Sequence, residues 1–200
     1  NYCSIPVINA LSDIEHPCQA LADMLTILEK KGSITGSKIA YIGDGNNVAA
    51  SLMLASAMLG ADFTIASPGD YRLKDETLDT AYKYATISGA VIRSVARAED
   101  AVASADVIYT DTWTSMGQEE EAEKRRKAFQ DFQVNSELLY HAPESVIVMH
   151  CLPAHRGEEI TADIIEGPHS VVFDQAENRM FATRALLLYL LGGLEIAVGS

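Results

Sequence analysis

The fold is decided by one short stretch, Lys38-Ile-Ala-Tyr-Ile-Gly-Asp-Gly-Asn-Asn47. After the initial lysine its residues are apolar as far as position 42, which predicts a buried strand over residues 38–42. Two glycines then mark a tight loop at 43–47, and the apolar segment that follows predicts a helix at about 48–59, ending at Gly60. A buried strand that leads through a glycine-rich loop into a helix is typical of a parallel α/β sheet.

The same alternation of strand and helix continues along the chain. Further short apolar runs predict strands at residues 62–66, 91–92, 106–110 and 146–149, and an extended segment at 171–173. Periodic segments predict helices at 75–88, 98–103, 118–130, 136–141, 161–166 and 181–191. Because short apolar strands alternate with helices, we expect an α/β fold of three layers, doubly wound, with a mostly parallel sheet flanked by helices.

One more helix is predicted before the first strand. Pro17 suits its first turn and Gly32 its end. Its predicted buried face carries four apolar residues at helical spacing: Leu21, Met24, Leu25 and Leu28.

Composition excludes several classes of protein. The net charge of -13 argues against a nucleic-acid surface, since binding to phosphates requires clustered Lys and Arg. The basic run at residues 124–127 follows an acidic run at 119–121, so we interpret it as a solvated helix face with i,i+4 ion pairs. The longest apolar run, residues 185–191, is far shorter than the ~20 residues that span a bilayer. We therefore expect no nucleic-acid partner and no membrane segment.

The cysteines and the start of the chain bear on its compartment. Three scattered cysteines, at positions 3, 18 and 151, do not form a disulfide framework and suggest reducing conditions. Since no apolar leader opens the chain, we expect a cytoplasmic protein. The chain begins at Asn1 rather than at Met, so we expect a fragment or a processed product.

In an open parallel sheet, ligands bind beyond the carboxyl ends of the strands. The first such loop, residues 43–47, begins like a dinucleotide-binding fingerprint. However, Val48 occupies the third glycine position, and the acidic residue expected about 20 residues later is missing. Nicotinamide binding is therefore disfavoured. The alternatives are a tight turn without a ligand, and an amide of Asn47 directed at a polar ligand from the helix start.

Two later loops also carry reactive groups. Asp111 and Ser115 either cap the following helix or hold an ammonium group with a carboxylate and a hydroxyl. The third loop begins His150-Cys-Leu-Pro-Ala-His155. Its Cys151 is open to four interpretations: a nucleophile beside a histidine, a zinc ligand, a thiol that binds a ligand together with backbone groups, or a buried structural cysteine.

Two further segments suit an oxygen-rich ligand. His16 lies at a helix start and Gln19 one turn later, and both side chains can donate hydrogen bonds. A single histidine at a helix end is more often structural. Arg179 is expected where a helix begins, and its guanidinium can bind a carboxyl or phosphoryl oxygen.

Together and in this order, these segments resemble the ornithine carbamoyltransferase family. The shared motifs are His-Pro-x-Gln at 16–19, Gly-Asp-Gly-Asn-Asn at 43–47, Asp-x-x-x-Ser-Met-Gly at 111–117, His-Cys-Leu-Pro at 150–153 and Ala-Glu-Asn-Arg at 176–179. The resemblance covers about residues 5–193. Aspartate-specific relatives resemble the chain at His-Pro-x-Gln, but they lack the Ser-Met-Gly loop and have Pro instead of Cys after the late histidine. The resemblance therefore points to ornithine.

The resemblance implies a reaction and a set of roles. The δ-amine of L-ornithine would attack carbamoyl phosphate to give L-citrulline and phosphate, in arginine biosynthesis or the arginine deiminase pathway, with no metal or organic cofactor. Catalytic roles would fall to His16, Asp111, Cys151 and Arg179. Carbamoyl phosphate would be bound by His16, Gln19, Cys151, Leu152 and Arg179, and ornithine by Asn47, Asp111, Ser115, Met116 and Cys151. Family members are typically homotrimers.

One feature of that family is not recognisable in these 200 residues: the earlier domain with its phosphate-clamping Ser-x-Arg-Thr-Arg motif. We therefore expect a remnant of the interdomain connection at 1–16, an ornithine-binding domain at 17–180, and at 181–200 a C-terminal helix that would return to the absent carbamoyl-phosphate domain. The chain alone would be inactive or nearly so. The alternatives are a non-catalytic amino-acid-binding module and a related carbamoyltransferase that acts on another amine.

Overall fold

Five parallel strands form the centre of the molecule, in a computed structural model that describes residues 3–115, 117 and 119–192. The strands are β1 (Lys38–Ile42), β2 (Asp62–Ala66), β3 (Ile92–Val95), β4 (Val107–Thr110) and β5 (Ile147–His150). Their order across the sheet is β3-β2-β1-β4-β5, and every neighbouring pair is parallel. Between strands the chain crosses over through helices, as parallel pairing requires.

Helices cover both faces of this sheet. They are α1 (Pro17–Lys31), α2 (Asn47–Leu59), α3 (Asp75–Ser88), α4 (Ala98–Val102), α5 (Ala122–Phe129), α6 (Ser136–Tyr140), α7 (Ala162–Ile165) and α8 (Val172–Leu190). Short 3-10 turns occupy Gly69–Tyr71, Glu119–Glu121 and Gln130–Phe132. None of the helices in the described part of the chain is long and apolar enough to cross a membrane.

Alternate residues of β1 belong to two separate cores. Ile39 and Tyr41 contribute to a core that also contains buried residues of α1, α2 and α3. Ala40 and Ile42 contribute to a second core, with buried residues of α4, α5, α6 and α7. All four side chains are at most 1% exposed, as expected for a strand covered on both faces. The predicted fold class, a doubly wound three-layer α/β sheet, is confirmed.

Three predicted segments differ clearly from the structure. The closing helix predicted at 181–191 begins nine residues earlier, at Val172, and runs to Leu190. The prediction of an extended segment at 171–173 is wrong: Val172 already begins α8, and the chain before it makes an isolated bridge between Val148 and Ser170. The β-branched pair Val171-Val172 favours a strand by propensity, but burial of Val172 against the second core is equally satisfied from a helix. Helix α5 is shorter than the predicted 118–130, with a 3-10 turn on either side, and Gln118 lies outside the described residues.

The buried face of α1 is also different from the one predicted. Met24 and Ile27 are buried, whereas Leu21 and Leu28 are 47% and 45% exposed. The buried side carries polar residues instead, namely Gln19, Asp23 and Thr26. These residues face α8, whose own buried positions include Gln175 and Asn178. The two helices therefore meet through a polar seam, which we define as the hydrogen-bonded side chains between α1 and α8.

Candidate functional site

The strand order places a crevice between β1 and β4. After β1 the chain enters α2 on one face of the sheet, and after β4 it runs toward α5 on the other face. Because the two loops part in this way, the carboxyl ends of these strands form a topological switch point, where α/β sheets bind ligands. A cleft of about 680 Å³ opens here, and Asn46, Asn47, Tyr71, Ser115 and Arg125 are among the residues that line it.

Asn46 joins the first loop to the second. Its side-chain oxygen caps α2 by accepting hydrogen bonds from the backbone N–H groups of Val48 and Ala49, at 3.0 and 3.1 Å. Its Nδ2 donates to Oδ2 of Asp111 at 2.7 Å. The sequence interpretation selects the neighbouring Asn47 and misses Asn46, although an asparagine directly before an apolar helix is a typical N-cap. Asn47 lies at the cleft, and its Nδ2 donates to the backbone oxygen of Ser12 at 2.7 Å.

Gly45 of this loop allows another backbone segment of the same chain to approach closely. A Cβ atom at Gly45 would lie 2.3 Å from the backbone nitrogen of Leu73 and 2.5 Å from the carbonyl carbon of Arg72. In dinucleotide-binding folds, the second glycine of the fingerprint allows the pyrophosphate to approach the backbone. Here the Arg72–Leu73 backbone occupies the space beside Gly45, which argues further against a nicotinamide cofactor.

Asp111 lies at the centre of the second loop and is 8% exposed. Its Oδ1 accepts hydrogen bonds from the backbone N–H of Thr112 at 2.8 Å and from Sγ of Cys151 at 3.0 Å. The alternative in which it caps the next helix is wrong, because α5 begins only at Ala122. Ser115 lies on the wall of the cleft, and Met116 lies outside the described residues. Asp111 therefore links the second loop to both other loops.

Cys151 is held as a neutral thiol. Its pKa is raised well above the ordinary value of 9.0, first by burial and then by the charge of Asp111, to which the thiol also donates a hydrogen bond. Since the thiolate is the reactive form, a thiol held protonated is a poor nucleophile and a poor metal ligand. This argues against the nucleophile and zinc-ligand interpretations, and it leaves two others: a thiol that binds a ligand together with backbone groups, and a structural cysteine.

His150 fixes the conformation of this third loop. Its Nδ1 accepts a hydrogen bond from the backbone N–H of Leu152 at 2.9 Å, so Nε2 carries the proton and faces Oε1 of Glu159 at 3.2 Å. The same Glu159 oxygen accepts from the backbone N–H of His155 at 2.5 Å. Leu152 has a φ of 56°, a left-handed conformation that non-glycine residues seldom adopt. This buried network holds the loop in one shape, with the N–H of Leu152 turned inward.

Arg179 meets the His16–Gln19 segment across the polar seam. It lies in the third turn of α8, so the expectation that a helix begins there is wrong, because α8 starts at Val172. Its guanidinium donates to the side-chain oxygen of Gln19 and lies 3.4 Å from Nε2 of His16. The pKa of His16 is lowered by burial and by the charge of Arg179, against opposing contributions from the backbone of Ala10 and from Asp111. The imidazole is therefore favoured in its neutral form.

The predicted residues thus form two neighbouring groups. One contains His16, Gln19 and Arg179, and the other contains Asp111 and Cys151. The two groups lie close enough to interact electrostatically. The charge of Asp111 opposes the lowering of the His16 pKa, and the charge of the buried Asp23 helps to raise the pKa of Cys151.

Arg125 also belongs to this region, against the sequence interpretation. The charge pattern predicts a solvated run, yet Arg125 is 3% exposed and pairs with Asp44 at 2.7 Å. Its guanidinium lies 4.7 Å from the centre of the Tyr71 ring, in a cation–π arrangement. Burial raises the pKa of Asp44 to about 6, although Arg125 opposes the shift. Elsewhere in the run the interpretation holds, because Lys127 pairs with Glu123 at the exposed i,i+4 position.

Two clusters among the described residues bring three possible metal ligands together: Asp111, His150 and Cys151, and His155, Glu158 and Glu159. In the first, both nitrogens of His150 already have hydrogen-bond partners and the thiol is protonated. In the second, Glu158 pairs with Arg126 at 2.9 Å. Each cluster thus has members already engaged by hydrogen bonds or ion pairs within the chain, and the expectation that no metal or cofactor is needed stays a prediction.

Comparisons with known proteins agree with this geometry. The family model described as "Aspartate/ornithine carbamoyltransferase, Asp/Orn binding domain" matches residues 35–190. Ornithine carbamoyltransferase of Thermococcus kodakarensis is 56% identical over 98% of this chain and 62% of that protein. The solved structure of ornithine carbamoyltransferase from Pyrococcus furiosus is 55% identical, has a TM-score of 0.93, and is matched over 97% of this chain and 62% of that chain. A Gloeobacter violaceus structure is 44% identical, with a TM-score of 0.89 over 96% of this chain and 64% of that one.

The chain thus spans about 62% of the length of its relatives. A second family model, of the carbamoyl-P binding domain, matches residues 1–29. The expectation that this domain is missing is therefore only partly right, because one segment of it is present. The predicted division at residues 16, 17 and 180 stays a prediction. With a domain model matched over most of its residues, the chain belongs to the aspartate/ornithine carbamoyltransferase family.

Proposed function

We propose that this chain supplies the ornithine site and part of the carbamoyl phosphate site of an ornithine carbamoyltransferase. The reaction would transfer the carbamoyl group from carbamoyl phosphate to the δ-amine of L-ornithine, giving L-citrulline and phosphate. The observation that carries the proposal is the pairing of two groups at one edge of the sheet. Asp111 and Cys151 form an acidic group, and Arg179 with Gln19 and His16 forms a cationic, hydrogen-bonding group.

The acidic group suits the amino acid. Asp111 is almost buried and holds its carboxylate between Asn46 and Cys151, where an ammonium group can replace part of its lost solvation. Asn47 and Ser115, on the wall of the adjoining cleft, would bind the polar groups of ornithine. The role of Met116 rests on the resemblance.

The cationic group suits the carbamoyl group. Negative charge grows on the carbamoyl oxygen during attack, and Arg179 with a neutral His16 would stabilise it by hydrogen bonds. Gln19 would orient the same group. Because the N–H of Leu152 already donates to His150, we assign Leu152 a role through its carbonyl oxygen, which can accept from the carbamoyl NH2. The attacking amine must be unprotonated, so activity should rise with pH above neutrality.

Fusion to a complementary segment tests this function. The part of the P. furiosus enzyme that this chain does not match would be joined to it, and citrulline formation would be measured with the fusion and with the chain alone. We expect turnover from the fusion and little or none from the chain alone. Ornithine binding without turnover by a folded fusion would favour the non-catalytic amino-acid-binding module. Faster turnover with lysine or putrescine than with ornithine would favour a transferase acting on another amine.

Two expectations of assembly and compartment accompany this proposal. A homotrimer is implied by the resemblance, and light scattering of the fusion would test it. A cytoplasmic location agrees with the three free cysteines, of which Cys3 is exposed.

A further inference from the structure

Asp23 is a buried carboxyl group with no role in the function proposed so far. It lies on α1, one turn after Gln19, and is 0% exposed. A single one of its oxygens, Oδ1, accepts two hydrogen bonds, from Nε2 of Gln19 at 2.8 Å and from Nε2 of Gln175 at 2.7 Å. Burying an acidic side chain is unfavourable unless it is well bonded, so its place between two carboxamides calls for an explanation.

Each carboxamide bonded to Asp23 has its other end directed at the site. The oxygen of Gln19 accepts from Arg179, and the oxygen of Gln175 accepts from the backbone N–H of His150 at 2.9 Å. A carboxamide has a donor end and an acceptor end, so an acceptor on one side determines which end faces the other side. Asp23 thereby connects α1, α8 and the start of the His150–Pro153 loop.

We propose that Asp23 is a positioning residue: its Oδ1 turns the amide groups of Gln19 and Gln175 inward, so that their oxygens align Arg179 and the His150–Pro153 loop. The part of this inference that concerns carbamoyl phosphate rests on the proposed function. The geometric part does not, because the contacts lie within this chain.

Both amide groups donate to the same oxygen of Asp23. A positioning role therefore requires an acceptor oxygen at this place, and it does not require a negative charge. Asp23→Asn keeps an oxygen with two lone pairs at the same place, whereas Asp23→Leu removes the acceptor at similar size. The conservative variant should therefore preserve both amide orientations. The apolar variant should lose that of Gln19 and weaken that of Gln175, whose Nε2 also donates to the Tyr109 hydroxyl at 3.1 Å. A suitable control is Thr26→Val, because Thr26 is equally buried on α1, and its hydrogen bonds go to Ala22 and to Asn178 of α8 instead of to either glutamine.

Nuclear magnetic resonance on the 200-residue chain provides the first test. We expect the backbone amide signal of His150 and the guanidinium signals of Arg179 to shift in Asp23→Leu, and to stay near their original positions in Asp23→Asn and Thr26→Val. Unchanged signals in Asp23→Leu would refute the proposal, and so would equal shifts in Asp23→Asn.

A measurement on the unaltered chain keeps the proposal testable if Asp23→Leu does not fold. The side-chain N–H protons of Gln19 and Gln175 should exchange with solvent at least tenfold more slowly than those of the exposed Gln130. Exchange at the rate of Gln130 would overturn the proposal.

Kinetics on the fusion provide the functional test. Asp23→Leu should raise the KM for carbamoyl phosphate at least tenfold and lower kcat, while the KM for ornithine rises less, because Arg179 loses its alignment by Gln19 whereas Asn46 still holds Asp111. Asp23→Asn should restore most of the loss. Equal increases in both KM values would count against the positioning role. An inactive fusion with the unaltered sequence would instead reject the proposed function and leave the resonance tests to decide on Asp23.

Discussion

Gly45→Ala should destabilise the protein strongly, because the added methyl group has no free space. The nearest atoms to a Cβ at this position are backbone atoms of Arg72 and Leu73, at 2.3, 2.5 and 2.9 Å. Ordinary contacts lie near 3.5–4.0 Å, so the segment must move by roughly 1 Å. A flexible side chain could rotate away at little cost, but a backbone segment cannot. The strain therefore falls on the turn that leads to Leu73.

Three effects determine how much free energy of unfolding Gly45→Ala should lose. Overpacking costs about 1–3 kcal/mol. The hydrogen bond from the N–H of Gly45 to the carbonyl of Tyr71, 2.8 Å long, contributes about 1 kcal/mol if it breaks. Leu73 is 6% exposed in the first core, and its partial release costs up to about 1 kcal/mol more. We expect a loss of about 2–5 kcal/mol in the free energy of unfolding, equivalent to a fall in Tm of roughly 4–20 °C for a chain of this size.

Urea unfolding followed by circular dichroism would measure this loss on the chain alone. Gly69→Ala is the matched control, because a Cβ at Gly69 would have no atom within 4 Å and the residue does not adopt a positive φ. It should change stability by less than about 1 kcal/mol. If Gly45→Ala proved as stable as Gly69→Ala, the close approach of the Arg72–Leu73 backbone would be refuted.

Three further predictions concern the site. Asp111→Asn should raise the ornithine KM of the fusion by about 10- to 100-fold, which is equivalent to the loss of one charge-assisted hydrogen bond. The KM for carbamoyl phosphate should change much less. Equal increases in both KM values would contradict the assignment of Asp111 to ornithine. Burial raises the pKa of Asp23 to about 7 from 3.8, so the folded state binds a proton more tightly and stability falls as pH rises between these values, by up to roughly 4 kcal/mol. Asp23→Asn lacks this titration. Between pH 4.5 and 7.5, its free energy of unfolding in urea should therefore rise relative to that of the unaltered chain. A difference that stays constant with pH would argue against the raised pKa. Iodoacetamide at pH 8 should modify the exposed Cys3 well before Cys151, as peptide mass spectrometry would reveal, because burial and Asp111 keep the Cys151 thiol protonated; faster labelling of Cys151 would return the nucleophile interpretation to consideration.

The sheet can be predicted from the sequence because its signals are local. Residues 38–42 form β1 as predicted, since a run of apolar residues before a glycine loop has few other ways to be buried. The switch point follows from the same reasoning, because the loops after parallel strands meet at one edge of the sheet and bring Asp111 close to Cys151. Contacts within a strand–loop–helix unit need no knowledge of distant residues.

The polar seam and the buried Arg125–Asp44 ion pair cannot be predicted, because both depend on residues far apart in the sequence. Asp23 and Gln175 are buried polar residues, and part of the cost of burying them is offset by the hydrogen bond between them, across 152 positions. The helical pattern places Leu21 on the buried face because its own sequence neighbourhood contains no sign of that partner. Arg125 likewise pairs with Asp44 across 81 positions, so the local pattern leaves its charge in the solvent. Hydrophobic pattern indicates which face can be buried, and not which polar groups will find partners.

The polar seam has a consequence for how the molecule folds. Its hydrogen bonds join residues 149 to 160 positions apart, so in an unstructured chain the length-dependent entropy of closing such a loop is roughly 4 kcal/mol. We therefore expect the seam to form only after the sheet has brought α1 and α8 together, as for other contacts of long sequence separation. Pulsed hydrogen exchange during refolding would test this order, since the His150 amide, held by Gln175, should be protected later than the amides of β1 and β2. The Arg179–Gln19 contact would then exist only in molecules whose folding is complete.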